Sequence, residues 1–301
     1  MNTDVSAVLD PVSAKSTVST VLLATDLQPC SHLALEYAAA IAHSFDACLF
    51  IVHAFELTAI AETVEEVDHI QSRTRLKAEE NLKSFIAKAD ISSKITTKWC
   101  MMQGTVRKAI LEAVKKHSAD ILVLGTKGVK RGINHLLLGS NTEALMLHSP
   151  CPTVTVGPQV RRGISIDTHL RKAVYVSDHT TPSIPAIKHA LQLCNTIAHE
   201  TEVMQLVADE TLADSVRSQQ VAQEFAKAML PHQPQHNWAD PSYQLSRLIT
   251  PQQLLSLSSD QSILLALGVQ PQTYLGRHIH TCTAYKLLAD AACPILTLRD
   301  E

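Results

Sequence analysis

Three short segments recur in the same order in the two halves of this 301-residue chain. The matched pairs are Leu22-Leu-Ala-Thr-Asp26 with Ala173-Val-Tyr-Val-Ser-Asp178, Ile121-Leu-Val-Leu-Gly125 with Leu264-Leu-Ala-Leu-Gly268, and Pro150-Cys-Pro-Thr-Val-Thr155 with Ala292-Cys-Pro-Ile-Leu-Thr297. Their offsets are 152, 143 and 142 residues. Ordered self-similarity of this kind indicates internal duplication. The length independently suggests two domains, since a typical domain holds about 150 residues.

Strand-like and helix-like patterns alternate within each repeat. Apolar runs of strand length, such as Cys48 to Ala54 and Ile121 to Leu124, are separated by segments whose apolar residues recur at helical spacing. This alternation predicts an α/β fold: two consecutive doubly wound domains, each with about five parallel strands. We divide the chain into a leader (1–18), a first domain (19–157), a linker (158–171) and a second domain (172–301).

Several finer expectations follow from local signals. Ser31 after Pro29 predicts a helix N-cap, and Thr250-Pro251 predicts an N-cap followed by proline at the first helical position. We further expect helices over Val67 to Ala89 and Ser218 to Leu230, and strands over Ile95 to Met101 and Tyr243 to Leu248.

Composition excludes several classes of protein. The formal charge of −3 favours neither nucleic acid nor an anionic membrane as a partner, and no apolar run approaches the 18 residues of a membrane span. The segment Met1 to Ser19 has two aspartates and no basic residue before Lys15, unlike a secretory signal peptide. The seven cysteines form no CxxC pair, so we expect neither a zinc site nor a dithiol redox pair. Cysteines that are not paired fit a protein of the reducing cytoplasm.

Four of the nine glycines fall within fifteen residues, at Gly125, Gly128, Gly132 and Gly139. This segment follows a buried strand and leads into a helix. Glycine lets backbone amides approach phosphate oxygens closely, and a helix amino end adds free N–H groups. Lys127, Lys130 and Arg131 add positive charge, and Ser140 and Glu143 have capping-box spacing. The alternative is an ordinary turn with solvated cations, since the spacing is neither that of a Walker loop nor GxGxxG.

The glycine segment resembles the nucleotide loop of universal stress proteins, whose pattern is Gly, two residues, Gly, nine residues, Gly, then Ser or Thr. Gly125, Gly128 and Gly139-Ser140 match it, with ten residues instead of nine before Gly139. The first strand ending in Asp26 and the closing segment Ser149 to Val156 are also similar to that family. The resemblance covers 19–157 well and 172–299 weakly.

The resemblance implies ATP, with or without Mg²⁺, as the ligand. Its implied site residues are Ala24, Thr25 and Asp26 beside the adenine and ribose, Ala54 with backbone contacts to the adenine, Leu124 and Gly125 under the ribose and phosphates, and Gly128, Gly139, Ser140 and Asn141 around the phosphates. For Asp26 an alternative role is the capping of its own turn.

The second domain departs from this pattern. Pro271 replaces Gly128 and has no N–H to offer, and Thr281-Cys282 replaces Gly139-Ser140. We therefore expect a degenerate domain that serves packing, dimerisation or regulation. Members of the family pair through the last strand, which implies either a homodimer or an internal pseudo-dimer across 153–156 and 295–298.

Three functions stay open on sequence alone: a stress-response module that binds ATP in its first domain, a slow ATPase or nucleotide hydrolase, and a nucleotide-free dimerisation scaffold. The loop from Gly125 to Ser140 contains no Asp or Glu that could act as a base or hold a metal, which favours binding over catalysis. His278 and His280 form an HxH pair, but no third ligand at metal-binding spacing accompanies them, so we expect no metal site.

Overall fold

A computed structural model of the chain describes residues 18–56, 64–89, 91–126, 140–160, 170–177, 184–206, 245–269 and 291–299. Strands and helices alternate along most of this part of the chain, as the sequence pattern predicts. The first half contains β1 (Thr20–Thr25), α1 (Pro29–Phe45), β2 (Cys48–Phe55), α2 (Val64–Ala87), β3 (Thr97–Gln103), α3 (Val106–Lys116), β4 (Ile121–Gly125), α4 (Ser140–His148) and β5 (Thr153–Val156). The second half contains β6 (Leu170–Ser177), α5 (Ile184–Ile197), β7 (Ala198–Leu206), β8 (Leu245–Ile249), α6 (Pro251–Leu257), β9 (Ile263–Val269) and β10 (Ile295–Arg299).

The ten strands form one continuous sheet in the order β3-β2-β1-β4-β5-β10-β9-β6-β7-β8. Every neighbouring pair is parallel except β5 and β10, which are antiparallel. Each half therefore contributes five parallel strands, which confirms the predicted fold class. The order of strands reverses between β1 and β4 in the first half and between β6 and β9 in the second.

The two halves join at a seam between β5 and β10. Thr155 lies opposite Ile295, Val154 opposite Leu296, and Thr153 opposite Thr297. Two threonine hydroxyls cross this seam: Thr155 Oγ1 donates to the carbonyl oxygen of Ile295 (3.2 Å), and Thr297 Oγ1 donates to that of Thr153 (3.1 Å). The predicted pairing of the two last strands within one chain is thus observed.

Two hydrophobic cores cover the two faces of the sheet. Successive strand residues alternate between them, so Val21 and Leu23 pack on one face and Leu22 on the other. Helices α1, α2 and α5 bury their apolar residues in the first core, and α3, α4 and α6 in the second. Both cores run through both halves without a break, so the halves share their buried surface.

Two residues at equivalent positions of the repeat, one on α1 and one on α5, each interact electrostatically with an ionisable group of the opposite half. Tyr37 on α1 and His189 on α5 are 152 residues apart, the same offset as between the β1 and β6 repeats. Burial raises the pKa of Tyr37 well above its usual range, with a further contribution from Cys293 of the second half. Burial lowers the pKa of His189, and the charge of Asp120 in the first half opposes that shift. Each of the two residues thus interacts electrostatically with a group of the opposite half.

Some expected boundaries are wrong by a few residues. Helix α2 begins at Val64 rather than Val67 and ends at Ala87, strand β3 covers Thr97–Gln103, and β8 covers Leu245–Ile249. The helix expected over Ser218 to Leu230 lies outside the described residues.

The two N-cap predictions have opposite outcomes. Thr250 caps α6 with a complete capping box to Gln253, and Pro251 starts that helix, as predicted. Ser31 does not cap α1, because Pro29, with its preset φ, already occupies the first turn and Gln28 becomes the N-cap. None of the helices in the described part of the chain combines the length and apolarity that crossing a bilayer requires.

Candidate functional site

Strands β1, β2 and β4 end side by side where the strand order reverses in the first half. Ala24 on β1 lies opposite Val52 on β2 and Leu124 on β4. Because parallel strands end at the same edge, Thr25, Asp26, Ala54 and Gly125 reach that edge too. The structure thus brings together six of the predicted site residues. The crevice outside such a reversal is where open α/β sheets bind ligands.

The turn between β1 and α1 is held by its own side chains. Thr25 Oγ1 accepts the N–H of Leu27 (3.0 Å), and Asp26 Oδ1 accepts the N–H of Gln28 (3.1 Å) and the hydroxyl of Ser31 (2.7 Å). Leu27 adopts a φ of 63°, in the left-handed region that non-glycine residues rarely occupy. Asp26 therefore caps its own turn, the alternative role considered for it, while its side chain stays exposed at the sheet edge.

Gly125 and Thr126 follow β4 at the same edge. Gly125 lies against the first turn of α1, where an added Cβ would sit 3.5 Å from Ala34 Cβ and 3.6 Å from Ser31 Cα. Thr126 donates its N–H to the carbonyl oxygen of Val156 (3.0 Å) and is only 2% exposed. Its hydroxyl has no hydrogen-bond partner among the described residues. A buried hydroxyl of this kind calls for a partner, because an unsatisfied polar group costs about 1–3 kcal/mol.

The rest of the predicted phosphate loop is described only from Ser140 onward. Gly128 and Gly139 lie outside the described residues, as do the cations between them. Ser140 begins α4, and Asn141 is exposed in its first turn. Since β5 runs parallel to β4, α4 must return across the sheet and so begins at the carboxyl edge of β4. Its free N–H groups therefore belong to the same edge as Thr126.

Metal-ligating side chains do not cluster in the described ranges: no group of three or more His, Cys, Asp or Glu residues lies within them. The HxH pair at His278 and His280 falls outside these ranges. Among the described site residues, Asp26 carries the one carboxylate, and it already accepts two hydrogen bonds from its turn.

Sequence reasoning missed three residues of this edge. His53 Nδ1 lies 2.9 Å from the carbonyl oxygen of Thr25, and Thr126 and Ser31 contribute as described above. One signal for His53 was present: it is the sole ionisable residue between Cys48 and Phe55, an otherwise apolar strand. Thr126 directly follows Gly125, but nothing in the sequence shows that its hydroxyl is buried.

Fold and site together define a doubly wound α/β protein whose candidate ligand site lies at the strand-order reversal of its first half. Residues 17–157 match the model of the universal stress protein family. This match covers the N-terminal half of the chain, the half in which the sequence has the glycine pattern.

Known relatives agree with this assignment. A universal stress protein of Methanocaldococcus jannaschii is 29% identical over 139 residues, which cover 45% of this chain and 80% of the relative. One from Thermus aquaticus is 28% identical over 142 residues, covering 46% of this chain and 97% of the relative. The crystal structure of a universal stress protein from Archaeoglobus fulgidus matches 94% of this chain and 96% of its own, with a TM-score of 0.64 and 13% identity. That last likeness shows that both halves share its fold.

Proposed function

We propose that this protein is a stress-response module of the cytoplasm that binds ATP at the carboxyl edge of β1, β2 and β4, in its first domain alone. The domains are those expected above, 19–157 and 172–301, with a leader over 1–18 and a linker over 158–171. The observation that carries the proposal is the buried hydroxyl of Thr126, which has no partner among the described residues and directly follows Gly125 at the edge where the strand order reverses.

Each part of the nucleotide has a counterpart at this edge. The exposed carboxylate of Asp26 suits a hydroxyl or amino donor of the ribose or base, and would repel a phosphate. The backbone of Ala54, at the end of β2, would contact the adenine, as the family resemblance implies. The amides that start at Gly125, with Gly128, Gly139, Ser140 and Asn141, suit the phosphates at the amino end of α4. Mg²⁺ would enter with the phosphates, since Asp26 is the one carboxylate among the described site residues.

Binding is favoured over hydrolysis by the side chains available. Hydrolysis of ATP needs a group that activates or orients water near the γ-phosphate. Between Gly125 and Ser140 the sequence has no Asp or Glu, and the one imidazole there, His135, lies outside the described residues. A slow ATPase is therefore the second candidate function.

The second half has a different role in this proposal. Its β10 supplies the antiparallel partner of β5, and its helices complete the two shared cores. Pro271 removes an amide from the position that corresponds to Gly128. The second domain therefore acts as a built-in dimerisation partner that does not bind nucleotide.

The proposal is tested by extracting the purified intact chain with acid and identifying any released nucleotide. We expect bound ATP from the wild type, none from Gly128→Asp, whose carboxylate repels phosphate, and an unchanged amount from the matched control Pro271→Asp. Conversion of added ATP to ADP over many turnovers would favour the ATPase. Wild-type protein that neither carries nor takes up nucleotide would leave the dimerisation scaffold as the function.

A further inference from the structure

The imidazole of His53 ties the end of strand β1 to strand β2. We propose that His53 is a positioning residue of the nucleotide site: it fixes the two strand ends that meet the base without touching the ligand itself. This inference rests on the proposed ATP site, but its structural part can be measured without ATP.

The hydrogen bond is defined by register and chemistry. Thr25 is the last residue of β1 and lies directly opposite His53. The Nδ1 atom of His53 is 2.9 Å from the Thr25 carbonyl oxygen. Because a carbonyl oxygen can only accept, Nδ1 must carry the hydrogen, and the neutral ring is then the Nδ1–H tautomer. This bond fixes the plane of the peptide that links Thr25 to Asp26.

The two bonded residues each precede a residue expected to contact the base. Asp26 follows Thr25, and Ala54 follows His53. The side-chain bond therefore adds to the backbone pairing of Thr25 with His53 in fixing the distance between the Asp26 carboxylate and the Ala54 backbone. A site that recognises a flat base depends on such distances, because displacing a binding group by about 1 Å costs much of its interaction.

The neighbouring turn needs this support. Leu27 is held at a φ of 63°, and left-handed backbone at a non-glycine residue costs about 1–3 kcal/mol unless the surroundings fix it. The side-chain oxygens of Thr25 and Asp26 hold the turn from within. The His53 bond anchors its first peptide from outside, across a separation of 28 residues.

The side chain of His53 lies on the face of the sheet that packs against α1 and α2. Leu49 and Ile51, which lie four and two residues before it on β2 and so share its face, are buried in the core of that face. The imidazole is half-buried and bonds back to β1. Its effect on the ligand is therefore exerted through the backbone of the two strand ends.

Two substitutions of His53 distinguish the effect of its hydrogen bond from the effect of its side-chain volume. His53→Leu keeps an apolar body and removes the donor, whereas His53→Asn places an amide N–H near the position of Nδ1. In the ligand-free intact chain, hydrogen exchange of the Leu27 and Gln28 amides should become about tenfold faster in the Leu variant and stay near wild type in the Asn variant. The melting temperatures of both variants should stay close to that of the wild type.

Titration with ATP then measures the consequence for binding. We expect the Leu variant to bind ATP about tenfold or more weakly than wild type, and the Asn variant within about threefold. Unchanged exchange in the Leu variant, unchanged affinity there, or equal losses in both variants would overturn the inference. Wild-type protein that fails to bind ATP would instead overturn the proposed function, and the exchange rates would still decide whether His53 positions the turn.

Discussion

The Oδ2 atom of Asp120 accepts a hydrogen bond from the backbone nitrogen of Ser19 at 2.7 Å. The same oxygen accepts the Ser19 hydroxyl (3.0 Å) and the Thr20 nitrogen (2.9 Å). Asp120 immediately precedes β4, Ser19 immediately precedes β1 and Thr20 is its first residue, so one carboxylate holds together the amino ends of the strands between which the order reverses. Their carboxyl ends form the candidate site.

Replacing Asp120 by alanine should lower the free energy of unfolding by about 1–2 kcal/mol, because three donors lose a charged acceptor. Urea denaturation monitored by circular dichroism measures this change. Asp260, which precedes β9, provides a matched comparison: it accepts two hydrogen bonds from Ser262, two residues further along the chain, and one of 3.3 Å from the exposed Arg171. Asp260→Ala should cost less, and an equal or larger loss there would contradict the role given to Asp120.

Stability should fall with acid partly through Asp260. Hydrogen bonds from Ser262 and the charge of Arg171 hold the pKa of this carboxyl below its ordinary value. Between the folded and unfolded pKa values the unfolded chain binds more protons, so this contribution is present above about pH 4 and is lost as pH falls below it. The effect is small because the pair is exposed. Between pH 5 and pH 3 the melting temperature of Asp260→Asn should fall less steeply with decreasing pH than that of the wild type. Equal slopes for the two proteins would contradict this.

The threonine hydroxyls of the seam should contribute measurably to stability. Thr155→Val and Thr297→Val each remove one buried hydrogen bond with almost no change of shape, and each should cost about 1 kcal/mol in urea denaturation. Thr196→Val is the control, since its hydroxyl bonds to Gln192 on the exposed side of α5. Seam variants no less stable than this control would show that the pairing of β5 and β10 does not depend on the two hydroxyls.

Two glycine substitutions should have opposite outcomes. Gly104 has a φ of +132°, a backbone conformation open essentially only to glycine, although an added Cβ would meet no atom within 4 Å. Gly104→Ala should therefore destabilise the protein by about 1–3 kcal/mol through backbone strain alone. At Gly125 the added Cβ makes ordinary contacts and φ lies outside the left-handed range, so Gly125→Ala should change stability by less than about 1 kcal/mol. Equal denaturation midpoints for the two variants would contradict this reading.

Much of the fold could be predicted because its signals are local. The echo of Leu22 to Asp26 at Ala173 to Asp178 identified β1 and β6, and Thr250-Pro251 marked the start of α6. Boundaries failed where tertiary pairing extends an element beyond its apolar pattern: Met102 and Gln103 continue β3 because Ala54 and Phe55 offer partners on β2.

The site was less predictable, because its bonds join distant parts of the chain. The hydrogen bond between His53 and Thr25 joins residues 28 positions apart in the sequence, and the one between Asp120 and Ser19 joins residues 101 positions apart. Ser31 was misassigned for a local reason: its hydroxyl could cap α1, but Pro29 starts the helix earlier and leaves Ser31 to bond Asp26. Gly128 and Gly139 rest on the family pattern alone, and their roles stay predictions.

Calorimetric titration of the intact chain with ATP tests the central claim most directly, because it counts nucleotides as well as detecting them. We predict saturation at one ATP per chain, accompanied by a rise in melting temperature. Saturation at two would show that the second half also binds nucleotide despite Pro271. No heat and no thermal shift would contradict the assignment of the strand-order reversal as a nucleotide site.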